Sequence, residues 1–455
     1  MDCIKRSMDA GKRKRGRWGT VLVLLAMGHA VPGAQSGLVP EAPWTLEAAL
    51  ERARAVHPDA EMARSRLAQA EARLAQAQAG NLPRVDLRAS YVQTTDPMQG
   101  FGIILSQGTF DNTIDFNDPG QLDNLSGAVE GRYRLYAGGS RKARIGAAEA
   151  ARAAGEDQVA AAEAALADAV VKAYFGIRQA DKVVESLRSG LRVLEENLRV
   201  SKAKEEAGEL IRTERLNLEV QVAAMRRELL SGEHRARLAR HRLAFLLDLP
   251  PRADLALAEA DPGIEAIVPP GRLSIENRAE LGAARKAVEA AEDQIRAARG
   301  GRLPTVDAFA NYKANKGYRR DGDGTSWTAG VSVSLPIFDG QATRSQIAEA
   351  RAGLREAEER LRRLRRSLEV DLEEARLAHE LAVEQREVAR QQQAQAQEAA
   401  ELSRKRFAAG TLLSTELIGV ESRLVEARTQ LAIATARERT ALAHLRRVTG
   451  LSILP

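Results

Sequence analysis

The sequence predicts a mainly α fold with a membrane β-barrel, built from a duplicated unit in which a strand hairpin precedes a long helix hairpin. Three observations carry this. A set of landmarks recurs at one fixed offset. The composition is dominated by Ala, Arg, Glu, Leu and Gln, with 4% aromatic and 29% charged residues, as in long helices rather than compact globes. Four stretches of about ten residues alternate apolar and polar side chains with the period of a β-strand.

The repeat organises the chain. Its first copy opens at Tyr136-Ala137-Gly138-Gly139 and closes at Leu246-Leu247-Asp248-Leu249; the second opens at Phe338-Asp339-Gly340 and closes at Val448-Thr449-Gly450-Leu451. Tyr136 and Phe338, Gly138 and Gly340, Gly208 and Gly410, and Leu249 and Leu451 are each 202 residues apart. An offset without slip over so long a stretch marks a duplication. The chain divides into a signal segment (1–30), a leader (31–44), a first repeat (45–250), a linker (251–272) and a second repeat (273–451).

The N-terminus reads as a secretory signal. Basic residues end at Arg17, an apolar run covers Val21 to Met27, and Gly28-His29-Ala30 offers small residues for cleavage. The run is too short to span a bilayer. The formal charge of +6 does not point to nucleic acid, because the first thirty residues hold seven Lys and Arg against two Asp, leaving the rest near neutral. No basic patch with stacking aromatics stands out. The single cysteine, Cys3, lies in the segment to be removed, so packing or assembly must stabilise the mature chain.

After the leader, Thr45 is the expected N-cap of a helix that continues to Ala79, with a break at His57-Pro58. Strands are expected at about 83–95, 125–136, 304–313 and 326–338. Val85, Leu87, Ala89 and Tyr91 share one face; so do Gly127, Val129, Gly131, Tyr133 and Leu135; Val306, Ala308, Ala310 and Tyr312; and Trp327, Ala329, Val331, Val333, Leu335 and Ile337. Phe309 breaks the polarity of the opposite face. One apolar and one polar face over ten residues suit a wall between lipid and water. An ordinary sheet on a core is the alternative, and these strands offer few large aliphatics for one. The first hairpin loop is 19 residues longer than the second, and Phe101, Ile103, Ile104, Leu105, Phe110 and Phe116 within it argue for local structure.

From Gly138 to about Ala203, and from Gly340 to about Phe407, helix formers run without a proline, enough for helices of roughly 95–100 Å. Each is followed by a shorter helix. The packing surface is alanine (Ala160 to Ala162, Ala164, Ala165, Ala167, Ala169), which allows backbones to approach closely. Glu358 with Arg362, and Glu369 with Arg365, are expected to pair on exposed faces.

Motifs for catalysis are lacking. The histidines His57, His234, His241, His379 and His444 are scattered; His234 and His241 could share a helix face, but no metal-ligand spacing supports them. The glycines at Ala137-Gly138-Gly139-Ser140 precede no P-loop lysine. With Met62, Met98 and Met225 the only mature methionines, no soft-metal cluster arises. No cofactor is expected. The tips are the candidate site. Gly208 and Gly410 interrupt helical sequence and can reverse the chain, and Glu214 and Glu416 each follow six residues later. At the second tip, Leu412 and Leu413 are expected to be exposed, as in a docking surface or a plain helix turn.

Across the mature sequence the chain resembles the TolC-type outer-membrane efflux proteins. The resemblance rests on Thr45-Leu46-Glu47-Ala48-Ala49-Leu50 leading to His57-Pro58-Asp59, and on Leu82 to Asp86 and Leu303 to Asp307 at the strand hairpins. It rests also on the two strand-to-helix junctions and on Arg406-Phe407 before Gly410. It implies a homotrimer whose chains each give four strands to a twelve-stranded barrel in outer-membrane lipid, continuous with a periplasmic α-helical barrel. It implies a passive export duct of a tripartite efflux or type I secretion system, with a periplasmic adaptor and an inner-membrane pump as partners. By position, Glu416 and Glu214 are then the periplasmic-aperture candidates, and Gly208, Leu210, Arg406, Phe407, Gly410, Thr411, Leu412, Leu413 and Ser414 the adaptor-docking tips. Gly419 stands where a second acidic residue is expected, Ala279 where a proline is frequent, and Lys204-Glu205-Glu206-Ala207 replaces an Arg-Phe type of first tip. A periplasmic adaptor or coiled-coil structural protein is the other class; an adaptor would show one helical hairpin, whereas this chain shows two, each after a pair of strands.

Overall fold

A computed structural model describes residues 43–115, 117–253, 255–259 and 273–452. The expected signal segment, Cys3, nearly all of the leader, Phe116 and most of the linker lie outside the described residues. In chain order the elements are α1 (Leu46–Val56), α2 (Pro58–Ala79), β1 (Arg84–Thr94), α3 (Pro97–Ser106), β2 (Leu122–Ala137), α4 (Ser140–Glu206) and α5 (Arg212–Leu246). The second half supplies α6 (Ala279–Gly300), β3 (Thr305–Lys316), β4 (Asp323–Ser334), α7 (Ala342–Ala408) and α8 (Ser414–Val448). The duplication is visible in lengths: α4 and α7 each have 67 residues, α5 and α8 each 35, and α2 and α6 each 22.

Local chemistry sets the first boundaries. The Thr45 side chain accepts the Ala48 N–H at 3.2 Å to cap α1. Pro58 cannot continue that helix but suits the first position of α2, where the buried His57 ring accepts the Asp59 N–H at 3.2 Å. After each strand pair the chain turns into its long helix through left-handed residues, Gly138 and Gly139 in one half and Gly340 and Gln341 in the other.

The four strands form one antiparallel sheet in the order β1-β2-β3-β4. Leu87, Val129, Tyr312 and Trp327 lie in register across it, so one face carries an exposed apolar band. The other face aligns Asp86, Glu130, Asn311 and Thr328, and there Arg134 pairs with Asp307 at 2.7 Å. Two details depart from the simple alternation. A bulge between Arg134 and Tyr136 leaves Leu135 unpaired and brings Tyr136 opposite Val306, on the apolar side. β4 ends at Ser334, short of the expected 338, because Pro336 has no N–H to extend the ladder. The longer first loop folds as α3, capped by Asp96 and seated through the buried Gln107, which donates to Asp123 O at 2.7 Å and Asn124 Oδ1 at 3.0 Å.

Toward the sheet, α4 packs on α2 and α6, and α6 on α7; toward the tips, α4 packs on α5 and α8, and α8 on α7. On α7 the buried positions Leu368, Ala375, Ala382 and Ala389 recur every seven residues, a narrow seam of small side chains. The densest apolar core sits between these halves, where Trp44, Leu46 and Leu50 meet Tyr174, Phe175, Leu243, Leu247 and Leu442. There the Tyr174 hydroxyl donates to Trp44 O at 3.2 Å, and Arg178 donates to Ala258 O at 2.5 Å, pinning the segment after α5 onto α4. Arg365 pairs with Glu369 at 3.6 Å, but Arg362 reaches Glu359 rather than Glu358.

Candidate functional site: the two helix tips

Both long helices end in the same way. At the first tip the Gly208 N–H donates to Glu205 O at 2.9 Å and the Glu209 N–H to Lys204 O at 2.8 Å. At the second, Gly410 donates to Phe407 O at 3.0 Å and Thr411 to Arg406 O at 2.9 Å. These paired bonds need the glycine in the left-handed region, and φ is 78° at Gly208 and 75° at Gly410.

The helices that leave the tips start at Ile211 and Leu413, which have no side-chain oxygen to cap them. For α8 the cap comes from the other hairpin. The Glu214 carboxylate accepts the Ser414 N–H at 3.1 Å and the Ser414 hydroxyl as well. A carboxylate at a helix N-terminus satisfies an orphan donor and matches the helix dipole. Ser414 is fully buried as a result.

Other side chains join the same two hairpins. Lys204 lies 5.5 Å from the centre of the Phe407 ring and donates to Phe407 O at 3.5 Å. Gln221 donates to Ser422 Oγ at 3.2 Å, and Arg428 to Ser189 Oγ at 3.3 Å. Within the second hairpin, Arg404 grips the buried Glu421 with both nitrogens, at 2.5 and 2.8 Å. The hydrogen bond and charge of Glu421 hold the Arg404 guanidinium above its ordinary pKa. Nothing in the sequence singles out this pair; its only trace is a cation before Gly410 on α7 and an anion after it on α8.

The expected site residues separate into two groups. Arg406, Thr411, Leu413 and Glu416 are exposed, while Leu210 and Leu412 are half-buried. Phe407 and Ser414 are buried inside the tip, and Glu214 is half-buried in its bond to Ser414. Glu416 projects from the first turn of α8.

Further along the hairpins, Asp168 on α4 is buried beside basic side chains of α4 and α8. Lys172 Nζ lies at 2.8 Å, His444 Nδ1 at 3.4 Å and Arg447 Nε at 3.7 Å. Burial alone would push its carboxyl up, but hydrogen bonds from His444 and Lys172 outweigh that and hold it below the ordinary aspartate value. Among the described residues, no group of three or more His, Cys, Asp or Glu side chains is placed to hold a metal ion, and His234 and His241 stand exposed on α5. Among the described residues no helix is long and apolar enough to cross a membrane.

The family model for outer membrane efflux proteins matches residues 49–248 and 272–451, which takes in both repeats. The chain belongs to the outer membrane efflux protein family. This is a family of channels and not of enzymes, and the protein resides in the outer membrane. Fusaric acid resistance protein FusA of Burkholderia cepacia is 28% identical over 323 residues, covering 68% of this chain and 58% of FusA. Nodulation protein T of Rhizobium leguminosarum bv. trifolii is 25% identical over 47% of this chain and 48% of its own length. The chain thus spans about half the length of these curated relatives. The outer membrane protein VceC of Vibrio cholerae has the same fold, with a TM-score of 0.73 over 90% of this chain and 96% of VceC at 19% identity. In this efflux-family chain the sheet thus presents one polar face and one exposed apolar row, Leu87–Trp327.

Proposed function

We propose that three copies of this chain form a passive export duct, which takes cargo from an inner-membrane pump through a periplasmic adaptor. The observation that supports this reading is that every layer of the subunit ends in two unlike open edges. The sheet stops at β1 and β4. The helical layers stop at α2 and α7 near the sheet, and at α5 and α7 near the tips. The edge helices carry exposed apolar residues: Val370, Leu377, Leu381 and Val388 on α7, and Val220 and Leu230 on α5, all more than half exposed. Edges that differ fit a head-to-tail contact, and head-to-tail contacts around a rotation axis close into a ring. Four strands are too few for a barrel; three copies supply twelve.

On this reading Glu416 faces the mouth of the duct, where three symmetry-related carboxylates repel one another and attract cations. Arg406, Thr411 and Leu413, with Gly208, Gly410, Leu210 and Leu412 beside them, form the surface offered to the adaptor. Phe407, Ser414 and Glu214 act from within, bracing that surface. FusA's association with fusaric acid resistance fits the export of a small organic compound. Membrane fractionation followed by unheated gel electrophoresis tests the proposal. A heat-resistant trimer in the outer-membrane fraction supports it, and a soluble periplasmic monomer overturns it.

A further inference from the structure

A groove opens where the sheet meets the helices, between the end of β2, the start of α4 and the end of α6. Its cations are Arg141, Lys142, Arg296 and Arg299, set against two carboxylates, Glu149 and Asp293. Asp293 is taken by Arg296, whose Nε lies 2.7 Å from Oδ1. Arg141 is held in place by Gly80 O at 2.9 Å, a carbonyl that fixes the guanidinium without neutralising it. Lys142 and Arg299 are exposed and make no side-chain hydrogen bond or ion pair with the described residues. The groove therefore keeps an excess of positive charge. Its apolar wall is Leu135, Tyr136 and Leu303, each 44–49% exposed. Tyr136 pairs with Val306 and so belongs to the apolar side of the sheet.

Solvation alone is a poor account of these cations. Arg299 sits in the last turn of α6, where a positive charge suits the helix dipole. Arg141 and Lys142 stand in the first turn of α4, where the dipole disfavours them and no acidic residue offsets them. Charges placed against local preference, beside an exposed tyrosine at the rim of an apolar band, match the interface of a bilayer. There a phosphodiester meets the cations while its acyl chains lie along the apolar wall.

We propose that this groove binds the headgroup of an anionic phospholipid from the leaflet reached by the helix ends of the strands. Lys142 and Arg299 contact the phosphate, Arg141 supplies a fixed positive charge, and Tyr136 with Leu135 and Leu303 receives the upper acyl chain. The lipid then lies across β2, α4 and α6, on the side of the wall away from the duct. The inference rests on the outer-membrane placement but does not depend on what the duct exports.

Native mass spectrometry of the detergent-purified oligomer tests it, with dioleoylphosphatidylglycerol and dioleoylphosphatidylcholine as probes that differ in headgroup charge and not in chains. The wild-type protein is expected to retain phosphatidylglycerol in preference. Lys142→Gln with Arg299→Gln is expected to lower that retention about fivefold for each cation removed, leaving phosphatidylcholine unchanged. Lys142→Arg with Arg299→Lys should keep it. Equal retention of the two lipids by the wild type overturns the proposal, as does undiminished selectivity in the double glutamine variant. Loss of phosphatidylglycerol on adding inorganic phosphate also overturns it, since the groove would then be a site for free phosphate. The wild-type comparison stands even where a variant fails to assemble. A trimer in the outer-membrane fraction without lipid selectivity removes this inference and leaves the duct standing.

Discussion

Glu214 and Ser414 lie 200 residues apart in sequence, yet the carboxylate of the first caps the helix that begins at the second, at 3.1 Å from its N–H. One tip thereby holds the start of the other tip's return helix. Glu214→Ala removes that acceptor and leaves the first turn of α8 uncapped, at a cost of about 0.5–2 kcal/mol. Hydrogen exchange of the amides at Ser414 to Leu417 should accelerate by roughly tenfold. Unchanged protection there would show that water or a neighbouring side chain caps α8 equally well.

Glu416 is exposed in the same turn and makes no ion pair with the described residues. If three copies face the mouth, Glu416→Ala is expected to weaken cation block, or to raise single-channel conductance, by roughly severalfold in planar bilayers. Identical conductance and block in the variant would reject its role in gating.

Leu381 is 54% exposed on α7. In an isolated chain, Leu381→Asp should change fold stability by no more than about 0.5 kcal/mol. At a closed subunit contact the same aspartate is an unpaired buried charge, costing about 3–5 kcal/mol. The expected outcome is normal helix content by circular dichroism with loss of the heat-resistant trimer. A trimer that survives would move the subunit contact to another face of α7.

The Asp168 cluster predicts a pH dependence. A carboxyl whose folded pKa is depressed adds stability that is present above its unfolded pKa, and loses it as pH falls through the folded value. Asp168→Asn should lower the thermal midpoint at neutral pH, by about 1–3 kcal/mol of lost stabilisation. As pH falls below about 4 the gap to wild type should narrow, because the unfolded aspartate then takes up its proton while the native one stays ionised until pH has fallen through its depressed value. A gap of the same size at pH 3 would mean that shape rather than charge holds Lys172, His444 and Arg447 around this position.

Much of the fold was legible because the repeat is written in both periodicity and spacing. The 202-residue offset between Gly208 and Gly410 locates both tips, and helices of equal length follow from it. The extra 19 residues of the first loop, rich in Phe and Ile, foretold local order that proved to be α3. What stayed hidden depended on distant partners or on single backbone steps. Ile211 and Leu413 look like failed caps until Glu214 is seen beside Ser414. Phe407 reads as an apolar tip residue until Lys204 covers it. The bulge at Leu135 inverts an alternation without altering composition, so Tyr136 changed sides unannounced.

If three copies close head to tail, the unlike edges β1 and β4, and likewise α5 and α7, have a genetic consequence. A subunit spoiled on its α7 edge alone keeps a sound α5 edge and can still occupy one neighbour. It joins a growing assembly and then refuses the next member, as a chain terminator does. Expressed beside the normal protein, such a copy would therefore be dominant, removing more working ducts than its own share of the pool. A copy spoiled on both edges would be recessive, because it could join nothing.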